Sequence, residues 1–194
     1  MDANAAKTMA DTGLGEWYQS LDGQSKRILS RYIGRAAEGS GPKGALLAMA
    51  KSANDEDNHD FALTLALKGL GLPGDEMVDL LLDEERITAL VERNRHDEAR
   101  EACLQSLERF PRLAGRLREM HQGKIPQQLA CRNRLIDIVV GIEGDYETAK
   151  RLLQDFVDKG IMEPSELELR LNSLQMHRLQ RSFDAIYTVR FKED

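Results

Sequence analysis

The chain has 194 residues, 41% of them apolar and 31% charged, with a formal net charge of −6. This length suits one domain, or one domain with a tail, and the apolar share supplies a core, which excludes a wholly disordered chain. The negative balance argues against general binding to a phosphate backbone, which needs a basic surface.

Residues 1–14 are alanine-rich and lack the apolar core of a signal peptide, so they are expected to form a disordered tail. No run approaches the length of a membrane span; with no leader in evidence, the cytoplasm is the expected compartment. Residues 15–40 are expected to form an N-terminal helix, with Ile28, Leu29, Tyr32, Ile33 and Ala36 on one face and Asp22 as a cap. "GSGPKG" (39–44) ends it as a linker.

From residue 44 to 194 the pattern is helical and self-similar. "ALLAMAKSANDED" and "HDFALTLALKGLGLP" form a first helix pair, and "HDEAREACLQSLERFP", closed by Pro111, is the second helix of the next. Ala62 lies three residues after His59, and Ala99 three after His96, an offset of 37 residues between units. "LIDIVVGIEGDYETAKRLLQDF" repeats the form with Ala149 three after Tyr146, and "LNSLQMHRLQRSFDAIYTVRF" offers Ala185 a further 36 residues on. The interval from Ala99 to Ala149 is 50 residues, and "RLAGRLREMHQGKIP" fills the excess with a short extra helix before one opened by Pro126. Small residues let helix axes approach closely; Ala50 and Ser173 are candidate small partners on the first helices of their units. The expected fold is all-α: stacked helix-turn-helix hairpins, an α-solenoid, behind an N-terminal helix.

Over roughly residues 44–191 the sequence resembles the tetratricopeptide-repeat family, whose units are helix pairs of about 34 residues. Ala99 and Pro111 fall at the spacing of that family's second-helix alanine and closing proline. Gly144, Tyr146 and Ala149 match its turn glycine, aromatic and alanine, and Leu46, Ala50, Ala62 and Ala66 supply the first unit. Ile87 and Asp137 depart from the pattern, standing where the family favours a small residue, and the third unit lacks a closing proline. The resemblance implies a protein-binding scaffold with a concave groove and no catalysis.

Two cysteines, Cys103 and Cys131, make neither a metal spacing nor a disulfide framework and read as reduced, buried thiols. The pairs His59-Asp60 and His96-Asp97 could suggest a metal-dependent phosphohydrolase, yet both occupy the same place in successive units, where an Asp complements the helix dipole. No other histidine offers a ligand spacing. There is no phosphate-cradling loop, H-E-x-x-H or G-x-S-x-G, so no enzyme, metal or cofactor is expected.

Charge is unevenly spread. Asp55, Glu56, Asp57, Asp60, Asp75, Glu76 and Asp79 crowd the first part, whereas Arg170, Arg178, Arg181, Arg190 and Lys192 mark the end. Arg134, in "CRNRLID", and Arg170, Leu174, His177 and Arg178 recur at helical spacings on faces that could line a groove. Arginines converging there would favour a carboxylate or phosphate, which guanidinium grips with two bonds. These five residues are the candidate ligand-binding set. Phe183, Ile186, Tyr187, Val189 and Phe191 lie near the end with no visible helix to cover them, so a homodimer through the terminal unit is expected. The expected function is a non-catalytic adaptor holding an unidentified protein or acidic peptide. The alternative is an RNA- or nucleoprotein-associated repeat protein using the basic C-terminal segment.

Overall fold

The computed structural model describes residues 3–36 and 41–190, with side chains over 4–36 and 41–184. Ala185, Ile186, Tyr187, Val189, Arg190, Phe191 and Lys192 therefore lie, in their side chains, outside the described residues. Every regular element among the described residues is a helix, with no strands among them. The chain divides into two compact units, Met1–Arg109 and Phe110–Asp194.

The first unit begins with α1 (Ala3–Asp11), α2 (Gly15–Ser20), α3 (Gly23–Leu29) and a short 3-10 turn (Ile33–Arg35). The expected disordered tail is thereby corrected. Ala5, Met9 and Leu14 are buried, and the Leu14 N–H closes α1 on the Met9 carbonyl at 2.8 Å. The single helix expected over 15–40 is also broken up. Leu21 is extended, and Asp22 caps α3 by accepting the N–H groups of Gln24 and Ser25 at 2.7 and 2.8 Å. Leu29, Tyr32 and Ile33 are buried as their spacing requires.

α4 (Gly41–Asp55), α5 (His59–Leu70) and α6 (Glu76–Glu92) pack on one another, with α4 also meeting the 3-10 turn. The second half of the expected linker is thus the first turn of α4, where Pro42 needs no hydrogen-bond partner for its nitrogen. Lys43 is buried there, its Nζ 2.6 Å from Asp79 Oδ1 on α6. α7 (His96–Met120) reaches α6 through Arg109 to Asp83 and through Arg86 to Gln105 at 3.0 Å. α7 does not stop at Pro111, and no separate helix follows it; the proline sits inside one continuous helix, beside the boundary between the two units.

In the second unit α8 (Ala130–Asp137) runs directly into a π-helical segment (Ile138–Ile142), and α9 (Tyr146–Asp158) and α10 (Pro164–Arg190) follow. Pro126 lies four residues before α8 and does not open it. The fourth hairpin expected from Ala185 is absent, since residues 164–190 form one helix. Ser173 is exposed on that helix, whereas Ala50 is buried on α4.

Three hairpins share one turn. Asp57, Asn94 and Gly144 take left-handed backbone angles (φ 58°, 55° and 70°), each two residues before its second helix. Asn58 N–H bonds the Ala53 carbonyl at 2.8 Å, and Arg95 N–H bonds that of Leu90 at 2.9 Å. In the third hairpin the matching bond runs from Asp145 to Val139, one residue longer, because the π segment carries the extra residue. Ala62, Ala99 and Ala149, three residues into the second helices, are all fully buried.

Candidate functional site

The π segment, α8, α9 and α10 enclose a cavity of about 340 Å³ in the second unit. Leu153, Met162 and Val140 are its buried apolar floor, and Ile136 and Leu174 extend the apolar wall. Asn133, Asp137, Arg170 and His177 bring polar groups to the same space. An apolar pocket with a few converging polar groups is the usual form of a ligand site. Gly141 of the π segment lies on the lining, and a Cβ there would meet open space, so the irregular helix turn leaves room on that wall.

Arg132, 1% exposed, also lines the cavity. Its guanidinium donates to the Ile161 carbonyl at 3.2 Å, the Gln127 carbonyl at 2.7 Å, and Glu166 Oε1 and Oε2 at 3.1 and 3.3 Å. Burial pushes its pKa down, and the Glu166 carboxylate opposes that shift. Glu166 Oε1 also accepts from Arg170 Nε at 3.0 Å, so two guanidiniums share one carboxylate. Arg170 Nη2 lies 3.4 Å from Asn133 Oδ1 as well. Arg134 adds a third guanidinium, 3.8 Å from Asp137. Around the cavity, the guanidiniums of Arg132 and Arg170 thus stand against the carboxylates of Glu166 and Asp137.

The five candidate residues are distributed as follows. Arg170, Leu174 and His177 line the cavity together. Arg178 lies beside it in a shallower groove of about 260 Å³ that also contains Tyr146, Glu147 and Lys150, with Leu174 common to both. Arg178 reaches Glu147 at 3.4 Å and lies 5.8 Å from the Tyr146 ring centre. His177 Nδ1 is 3.1 Å from the Tyr146 hydroxyl, which joins α9 to α10 at the cavity mouth. Arg134 is outside the lining.

Arg132 and Glu166 are absent from the sequence-derived set. Their pairing spans 34 residues, and no local spacing announces it. The π segment is equally silent in the sequence, where "IVVGI" reads as an ordinary buried run.

The two His-Asp pairs stand at the first residues of α5 and α7. His59 Nδ1 is 3.1 Å from Asn54 Oδ1 across the turn between α4 and α5, and Asp60 pairs with Arg93, just past α6, at 2.9 Å. Among the described residues no three His, Cys, Asp or Glu side chains gather as metal ligands, and no helix is long and apolar enough to cross a membrane. Cys103 and Cys131 are buried and form no disulfide among the described residues. No family model matches the chain, and neither a curated protein nor a solved structure matches it.

Proposed function

We propose that the protein is a non-catalytic adaptor that holds an acidic peptide segment of a partner protein at the cavity of the second unit. One observation carries this reading: an apolar floor of Leu153, Met162 and Val140 opens beside Arg170 and His177. An apolar side chain of the segment would fill the floor while a neighbouring carboxylate meets Arg170. Arg178 and Tyr146 extend the contact along the adjoining groove.

The same reading takes the helical hairpins as a tetratricopeptide-like stack. Its support is the turn geometry common to three hairpins and the fully buried alanine in each. The nucleic-acid alternative draws on Arg170, Arg178 and Arg181. Each is bonded inside the unit, to Glu166, Glu147 and the Val140 carbonyl, which leaves no continuous basic strip along the described part of α10.

The test is selection from a random peptide library on the immobilised full chain, followed by calorimetry on recovered peptides. Recovered sequences should pair an acidic residue with a large apolar one, and Arg170→Gln should weaken their binding at least tenfold with the urea midpoint little changed. Recovery of basic peptides, or affinity indifferent to Arg170→Gln, would overturn the assignment.

A further inference from the structure

The cavity is one end of a longer track. Leu174 lines both the cavity and the groove of about 260 Å³ beside it. Glu147, Lys150 and Leu171 line both that groove and a further hollow of about 460 Å³. Beyond the cavity, α9 supplies one wall from Glu147 to Gln154, and α10 the other from Leu171 to Arg178. Each wall is two turns of helix, about 10 Å long. An extended chain covers that length in about three residues.

The charges along this track are not all matched. Arg178 meets Glu147 at 3.4 Å. Arg151 donates to the Thr148 hydroxyl at 2.9 Å and lies within electrostatic reach of Asp145. Lys150 has neither a hydrogen bond nor an ion pair among the described residues. It is exposed where the two outer hollows meet, beside the half-buried Leu171. In a chain of net charge −6, that ammonium is a local site for a negative group. A nucleic-acid backbone would need several such cations in a row, and Glu147 and Asp145 interrupt the line. One carboxylate suits it better, because a lysine is a compact charge on a flexible stem that meets a carboxylate from many directions.

We infer that Lys150 is a second acid-binding subsite of the peptide site. The segment, with its apolar residue in the cavity and one carboxylate at Arg170, crosses Leu174 and lays a further Asp or Glu against Lys150, within about four residues of the apolar one. The subsite rests on the adaptor reading and adds to it the place of a second negative charge on the segment.

The experiment uses the full chain and the peptides recovered on it by library selection, measured by calorimetry. Recovered sequences should carry a second acidic residue within about four positions of the large apolar one. Lys150→Gln should weaken their binding about threefold or more, and so should exchange of that peptide residue for its amide. The two changes together should cost no more than either alone. Lys159→Gln removes the same charge from an exposed position at the end of α9 and should alter affinity less than about twofold, since salt screens a distant charge. Glutamine forms helix about as well as lysine, so the helix content by circular dichroism and the urea midpoint should hold. Binding that depends on Arg170 but not on Lys150 overturns the subsite and leaves the adaptor reading standing. So does an equal loss on Lys159→Gln, or losses from Lys150→Gln and the peptide change that simply multiply. Affinity indifferent to Arg170→Gln, or a selection that recovers no peptide, overturns the adaptor reading and the subsite with it.

Discussion

Arg132 and Glu166 form a two-pronged ion pair inside the second unit, with Nη2 to Oε1 at 3.1 Å and Nη1 to Oε2 at 3.3 Å. The two residues are 1% and 8% exposed. Breaking such a pair from one side leaves a buried charge uncompensated, at a cost of about 3–5 kcal/mol, whereas replacing both partners by apolar residues costs far less. Urea denaturation of Arg132→Met, Glu166→Leu and the double variant should therefore show strong non-additivity. Additive losses would mean that the pair contributes no coupling.

Gly69 on α5 lies against Leu82 of α6. A Cβ there would sit 2.7 Å from Leu82 Cδ1 and 3.0 Å from Cδ2, and Leu82 is itself fully buried. Helix propensity alone would make Gly69→Ala stabilising by about 1 kcal/mol. Overpacking should reverse that sign and leave the variant about 1–3 kcal/mol less stable. The check is the denaturation midpoint, and a rise in it would refute the close contact.

Asp145 caps α9, accepting the Thr148 hydroxyl at 2.6 Å and its N–H at 2.9 Å. These bonds, the side-chain one first, hold its carboxyl below the usual range. Its folded pKa is lower than its unfolded one, so its stabilisation is complete above the ordinary carboxylate range of about 4 and is lost as pH falls through the lower folded value. The stability gap between wild type and Asp145→Ala should hold constant at neutral pH and close in acid. A gap that widened on acidification would contradict the cap.

Burial pushes the Cys103 thiol up to about 12, with the Glu84 carboxylate adding to the effect. The thiolate is the reactive form. Iodoacetamide at pH 8 should leave Cys103 unmodified in the native protein and label it in urea, as mass spectrometry would show. Fast native labelling would show that α6 and α7 do not enclose it.

The hairpins were legible because their signals are local. Asp57 and Asn94 can adopt left-handed angles in the turns, Asp22 can cap a helix, and an alanine three residues into each second helix can disappear between neighbours. Pro111 misled because a proline can end a helix or be carried inside a long one, and α7 has tertiary support on both sides of it. The terminal hairpin misled because Ala185 repeats the 36-residue spacing, yet nothing between Ser165 and Arg190 is a glycine or proline that would stop a helix. In residues 1–14, alanine-rich composition concealed the buried spacing of Ala5, Met9 and Leu14.

The candidate site was half visible. Arg170, Leu174 and His177 share one helix face by spacing alone, and they do meet in one cavity. Arg134, placed by the same reasoning on another helix, lies outside the lining. A π segment follows it, and the register of that wall is not that of a regular helix.

By itself the sequence determined the helical class, the shared turns and the residues that each helix must bury, because these depend on groups a few positions apart. Only the tertiary structure decided where α7 and α10 end, and that Glu166 stands between Arg132 and Arg170. It also decided that Leu169, Met176, Leu179 and Phe183 of α10 stay exposed. Those outcomes follow from packing and charge pairing between distant segments, whose free energies exceed any local preference and leave no trace in neighbouring residues.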